Sequence, residues 1–101
     1  MRDDDLRILA NLKREGYARA ANTAPVLRAH GFDVITARIR IDHRRTKVVP
    51  YAPAWAISLV KKMRGLGLKS EVRKDVLAEA LLLGRPGPLM EAAVVAGRMM
   101  R

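Results

Sequence analysis

The chain opens with apolar residues at helical spacing. Leu6, Leu9 and Leu12 recur every three residues after an acidic triplet at positions 3–5, whose carboxylates favour the positive end of a helix dipole. We therefore predict a first helix over about residues 4 to 15, with the triplet as its capping groups.

Two further short helices are predicted before the pattern changes. The stretch from Tyr17 to Ala21 is compatible with a helix, and Pro25 indicates the first turn of a new helix over about residues 24 to 30, capped by the residues before it. Gly31 then provides a left-handed stop. His30 is interpreted as a favourable charge near that helix end and not as a catalytic base.

From residue 33 onward, the apolar positions recur with a period of two. Isoleucine or alanine at positions 35, 37, 39 and 41 alternates with polar residues, which predicts a half-buried strand over about residues 33 to 41. The β-branched run at about 46–50 predicts a second strand, and the polar segment Asp42–Arg45 between them predicts a β-hairpin with a four-residue loop. Pro50 cannot donate to a strand ladder, so this second strand is predicted to lie at the edge of the sheet.

Three helices are predicted after the hairpin, over about residues 53–64, 70–83 and 89–100. Glycines at 65 and 67 are expected to end the first, and Ser70 is expected to cap the second. The third is apolar almost all round, which predicts that it is buried centrally or forms an oligomer contact. The fold class predicted is therefore α+β and mostly helical: three short helices, a hairpin and three helices in one small domain, residues 1–101.

Residues suited to catalysis or metal binding are sparse. The chain has no cysteine, which excludes disulfides and thiolate chemistry, and its two histidines are His30 and His43. Gly65-Leu66-Gly67 lacks the preceding strand and third glycine of a phosphate-binding loop, and no motif of a hydrolase or metalloprotease is found. We predict a protein that is not an enzyme and holds no cofactor or metal.

The composition also bears on location. The longest purely apolar runs, such as residues 81–83, are far shorter than the ~20 residues that span a bilayer, and no secretion signal is recognisable at the N-terminus. A cytoplasmic protein is expected.

Positive charge is concentrated in the middle of the chain. The net charge is +10, and residues 38–69 hold nine basic residues against one acid, Asp42. Such a field attracts polyanions, whereas only four aromatic residues argue against stacking of single-stranded bases. We predict nucleic acid, in particular duplex DNA, as the partner, which would place the protein at the nucleoid. The expected contacts come from Arg28, Arg38, Arg40, Arg44, Arg45, Lys47, Lys61, Lys62, Arg64 and Lys69.

Two known architectures resemble parts of this order. The run Thr46-Lys47-Val48-Val49, a helix from Pro53 to Arg64, the turn Gly67-Leu68-Lys69-Ser70-Glu71 and a helix from Val72 to Leu83 resemble the ribbon-helix-helix repressors over under half of the chain. That resemblance implies a dimer that lays paired strands in the major groove, with Lys47 and its neighbours against DNA. Helices followed by a basic hairpin also resemble a winged helix, in which the hairpin touches the DNA backbone or minor groove.

The leading hypothesis is a DNA-binding transcriptional regulator or architectural factor that forms a homodimer through its C-terminal helix. The alternative is a protein-binding module or inhibitor that presents the basic face to an acidic partner protein. A third reading is RNA or ribosome binding, because a basic surface serves structured RNA equally well.

Overall fold

The computed structural model describes residues 3–99, with side chains from residue 6 to residue 97. The predicted capping by aspartates 3–5 and the far end of the predicted C-terminal helix lie outside these described parts. The described chain has an α+β fold. Its elements in chain order are α1 (Asp3–Arg14), β1 (Tyr17–Arg19), a short 3-10 helix (Ala21–Thr23), α2 (Ala24–Ala29), β2 (Ile35–Arg40), β3 (Thr46–Pro53), α3 (Ala54–Leu66), α4 (Ser70–Leu83) and α5 (Pro88–Met99).

The predicted layout of three N-terminal helices and a two-stranded hairpin is wrong, because Tyr17–Arg19 is a strand. The chain turns at Gly16, whose φ of 84° is left-handed, and its carbonyl accepts the N–H of Ala54 at 2.9 Å. β1 then pairs antiparallel with β3, so that Tyr17 faces Pro53 and Arg19 faces Tyr51. A neighbouring strand therefore satisfies backbone groups that local propensity would have left to a helix.

The prediction that Pro50 marks an edge strand is also wrong, because the strand order is β1-β3-β2 and β3 lies at the centre. In an antiparallel sheet, the N–H and C=O of one residue point to the same neighbouring strand. The carbonyl of Pro50 accepts the N–H of Ala20 at 2.9 Å, so the proline nitrogen also faces the β1 side. β1 ends at Arg19, before it comes opposite Pro50, so the missing N–H of the proline costs no hydrogen bond to β1. The hydrogen bonds between β3 and β2 are unaffected.

The sheet separates two apolar clusters. Leu12 of α1 packs against Ala37, Val49 and Tyr51 on one sheet face. The larger cluster lies under α2, α3, α4 and α5 and is reached by Ala52 from the other face. The largest side chains that this cluster buries fully are Leu27, Val60, Met63, Val76 and Leu77.

The helices after the sheet lie close to their predicted bounds, with two local differences. Gly65 lies inside α3, which ends instead at the left-handed Gly67 (φ 64°). The N-cap of α4 is Lys69 and not Ser70, and no side-chain hydrogen bond caps this helix. Met90 of α5 is buried in the large cluster, whereas Val95 is exposed, so one face of α5 packs and another meets solvent. Within residues 3–99, no helix combines the length and apolar character needed to cross a membrane.

Candidate nucleic-acid interface

The hairpin of β2 and β3 has one covered face and one solvent face. Ala37 lies opposite Val49, and both are buried beneath α1. Because side chains alternate along a strand, Arg38 and Arg40 point to the other face of the hairpin. On that face, every neighbouring side chain except that of Pro50 is exposed. Arg38 lies opposite Val48 and Arg40 opposite Thr46, so this face carries two guanidinium groups on adjacent positions of one ribbon.

The tip of the hairpin is organised by Asp42. Its Oδ1 accepts the backbone N–H groups of Arg44 at 2.8 Å and Arg45 at 2.9 Å, and the N–H of Ile41 donates to the Arg45 carbonyl at 3.0 Å. The Asp42 Oδ2 also lies 3.5 Å from the Nε of Arg45. The one carboxylate of the hairpin is therefore used within the turn, and it shapes the tip as an Asx turn does.

The remaining tip cations face solvent. Arg44 is exposed, and among the described residues it forms no salt bridge, while the Nη2 of Arg40 has a long contact of 3.5 Å to the His43 carbonyl. Lys47 lies opposite Ile39, on the face away from Arg38, and is exposed. The structure thus brings together the five predicted contact residues of the hairpin, with Lys47 on the second face.

The other predicted contact residues lie away from this hairpin. Lys61, Lys62 and Arg64 belong to α3, which begins where β3 ends, about 24 Å along the strand from Thr46. Lys62 borders a shallow groove with Met90, Glu91 and Val94 of α5, whereas Arg64 binds Asn22 on another side of the helix. Arg28 on α2 and Lys69 between α3 and α4 are exposed. The basic stretch of residues 38–69 therefore forms separate hairpin and helical groups.

The molecule is elongated, with extents of 52 × 24 × 20 Å, which is consistent with a projecting hairpin. Its Cα radius of gyration is 15.9 Å, against the ~13 Å typical of a compact domain of this size. A projecting ribbon can enter a groove that a rounder surface would only touch.

Sequence reasoning missed two cations, Arg73 and Lys74, which lie beside Arg64 at a cavity between α2, α3 and α4. Residues 70–84 hold these two bases and three acids, Glu71, Asp75 and Glu79, so their net charge is negative. A sum of charges along the chain therefore does not mark this segment as basic. A helical projection would have found them, since Ser70, Arg73 and Lys74 share one face with the buried Leu77.

Tyr17 on β1 donates a 2.7 Å hydrogen bond from its hydroxyl to Oδ2 of Asp33. That bond, together with partial burial and the negative charges of Asp33 and Glu15, raises the pKa of Tyr17 to about 12. Within the described part of the chain, no cluster of three or more histidine or acidic side chains could hold a metal ion.

Comparison with known proteins gives no relative from which a function could be carried over. No family model matches the chain, and neither a curated protein nor a solved structure is significantly similar to it.

Proposed function

We propose that this protein binds duplex DNA through the hairpin of β2 and β3, as a transcriptional regulator or architectural factor. The observation that carries the proposal is the solvent face of the ribbon, which holds Arg38 and Arg40, together with the exposed Arg44 at the tip of the same hairpin. A two-stranded ribbon fits the width of the major groove, and arginine guanidinium groups bind phosphates and guanine edges with two parallel hydrogen bonds.

The charges of the hairpin support a strong phosphate contribution. Five cations lie between positions 38 and 47, and the single carboxylate, Asp42, is hydrogen-bonded inside the turn. Each phosphate that such a cation neutralises releases condensed counterions, which contributes about 0.9 to the slope of log K against log salt. Six contacts, for example five from the hairpin and one from α3, would give a slope near −5.

One observation favours the second candidate, an acidic protein partner. Ile41 and Val48 are each 61% exposed among the arginines of the hairpin. Exposed apolar side chains surrounded by polar residues are typical of protein interfaces, where the partner would bury them. Val48 could equally contact a thymine methyl group in a major groove, so this pair does not displace DNA as the first proposal.

The test is fluorescence anisotropy of a labelled mixed-sequence DNA duplex at physiological salt. The hairpin variant carries Arg38→Gln, Arg40→Gln and Arg44→Gln together. The control carries Arg7→Gln, Arg14→Gln and Arg85→Gln, which remove the same charge from exposed positions elsewhere. Loss of three phosphate contacts should weaken binding by the hairpin variant about a hundredfold and leave the control much less affected.

Competition experiments distinguish the partner classes. Unlabelled duplex DNA should displace the probe more effectively than a structured RNA hairpin or polyglutamate at equal charge. Preference for the RNA would favour the RNA-binding alternative, and preference for polyglutamate would favour the acidic partner. Equal loss of binding in both triple variants would contradict a role specific to the hairpin.

A further inference from the structure

A small cavity lies between the helices, apart from the hairpin. It has a volume of about 210 Å³ and is walled by α2, α3 and α4. Its inner surface is formed by buried apolar side chains, including Val60, Met63 and Leu77. Cationic side chains from two helices surround its mouth, so the cavity has an apolar floor and a positively charged opening.

The charge at this mouth is of one sign. Arg64 of α3 and Arg73 and Lys74 of α4 line the cavity, and no carboxylate of the described side chains does. The acids of the first turns of α4, Glu71 and Asp75, lie about 100° and 140° around the helix from Ser70, and Glu71 stands three residues before Lys74 without forming a salt bridge to it. Among the described residues, none of the three cations forms a salt bridge. Three unneutralised charges around a concave site focus the field at its mouth.

Arg64 is held in place by neutral groups. Its Nη1 donates to Asn22 Oδ1 at 2.9 Å, and its Nη2 lies 3.2 Å from the Asn22 carbonyl oxygen. A guanidinium group has five N–H donors, so about three remain for another acceptor. Because Asn22 is neutral, it orients the Arg64 guanidinium group without placing a negative charge beside it.

We propose that this cavity binds a phosphate group that carries a short organic substituent. Arg64, Arg73 and Lys74 would bind the phosphate oxygens, and His30 and the hydroxyl of Ser70 also line the cavity as hydrogen-bonding groups. The apolar floor would receive the substituent. The volume equals that of about seven waters, and it lies below the ~300 Å³ of pockets for larger ligands. All of these residues lie outside the hairpin, so phosphate binding here is independent of the proposed function.

The test is a titration of the full ¹⁵N-labelled chain with inorganic phosphate, followed by NMR at constant ionic strength set with chloride. We expect saturable shifts of the Ser70, Arg73 and Lys74 amides and of the Arg64 Nε–H, while the amides of the hairpin move little. Because no nucleic acid is present, the result is independent of DNA binding. Shifts that do not saturate, or that chloride alone reproduces, would overturn the proposal.

A pair of double variants separates the site from general charge. Arg73→Gln with Lys74→Gln removes two cations of the cavity mouth at exposed helix positions, which should preserve the fold. Arg7→Gln with Arg14→Gln removes the same charge from α1, which does not border the cavity. The first should weaken phosphate binding about tenfold or more, through loss of charge-assisted hydrogen bonds. An equal loss in the second would show general attraction and refute the site.

Two further probes identify the source of the phosphate group. Glycerol 3-phosphate is a monoester with a short substituent, and dimethyl phosphate has the diester chemistry of a nucleic-acid backbone. Tighter binding of the monoester would assign the cavity to a small phosphorylated metabolite. Comparable binding of the diester, with weaker duplex binding by the Arg73→Gln, Lys74→Gln variant, would assign it to a backbone phosphate. Binding of neither ester would contradict a site for a phosphate with a substituent.

Discussion

Replacing Tyr17 with phenylalanine removes one hydroxyl group from β1, the strand that follows α1 and precedes α2. That hydroxyl donates to Asp33 Oδ2 at 2.7 Å, which connects β1 to the segment between α2 and β2. A hydrogen bond to a charged group contributes roughly 1.5–3 kcal/mol when it is protected from solvent. Because Tyr17 is only half-buried and Asp33 is exposed, we expect a loss of about 1 kcal/mol.

The assay is thermal unfolding of the wild type and the Tyr17→Phe variant. A loss of about 1 kcal/mol should lower the Tm by roughly 5 °C for a chain of this length. The difference should also depend on pH, because the hydrogen bond raises the pKa of Tyr17 to about 12 from an ordinary value near 10. A raised pKa means that the protonated form is favoured in the folded state. The contribution is therefore complete below pH ~10 and is lost as the pH rises from about 10 to 12.

A double-mutant cycle with Asp33→Asn checks that the effect belongs to this pair. The second substitution should cost less in the Tyr17→Phe background than in the wild type, because the interaction has already been removed. Ultraviolet titration of tyrosinate in the wild type and the variant should show one group near pH 12 that the variant lacks. Equal Tm values at neutral pH and additive losses in the cycle would refute the reasoning.

Other predictions concern the core and the turn between α3 and α4. Leu27→Ala should lower the free energy of unfolding by about 3 kcal/mol, because this side chain is 0% exposed. Leu82→Ala, at 88% exposure, should change it by less than ~0.5 kcal/mol. Urea unfolding measures both values, and similar losses in the two variants would contradict the described core. Gly65→Ala should stabilise the protein by up to ~1 kcal/mol, since a helix favours alanine and, outside the adjoining helix backbone, no packed neighbour lies within 4 Å of the new Cβ. Gly67→Ala should instead destabilise it by about 1 kcal/mol, because φ there is 64°, and the opposite order of the two variants in thermal unfolding would argue against the assigned end of α3.

The sequence was informative where one local pattern decided the structure. The alternation from Ile35 to Arg40 marked a strand, and that segment is β2. Apolar residues four apart in a helix share one face, and Leu59 and Met63 of α3 are both buried. It was uninformative where a distant partner decided. Tyr17–Arg19 has no strong strand pattern of its own. It becomes a strand only because it pairs with the edge of β3 that β2 does not occupy. Local propensity cannot report such pairing, and tertiary context overrides it.

The same distinction holds for the candidate site. The five basic residues of the hairpin could be grouped from the sequence, because a hairpin keeps neighbours in sequence close in space. The group of Arg64, Arg73 and Lys74 could not, since it depends on how α3 packs against α4. The sum of charges along the chain also treated Lys62 and Arg64 as one face, although they lie about 160° apart in projection around α3. Their packing against α5 and Asn22 separates them.

The most direct test of DNA binding by the hairpin is the salt dependence of duplex affinity for the wild type and the Arg38→Gln, Arg40→Gln, Arg44→Gln variant. The wild type should give a slope of log K against log salt near −5, and removal of three phosphate contacts should reduce it to about −3. The Arg7→Gln, Arg14→Gln, Arg85→Gln control should keep the wild-type slope. A wild type without a slope, or a hairpin variant with the slope of the control, would contradict the proposal.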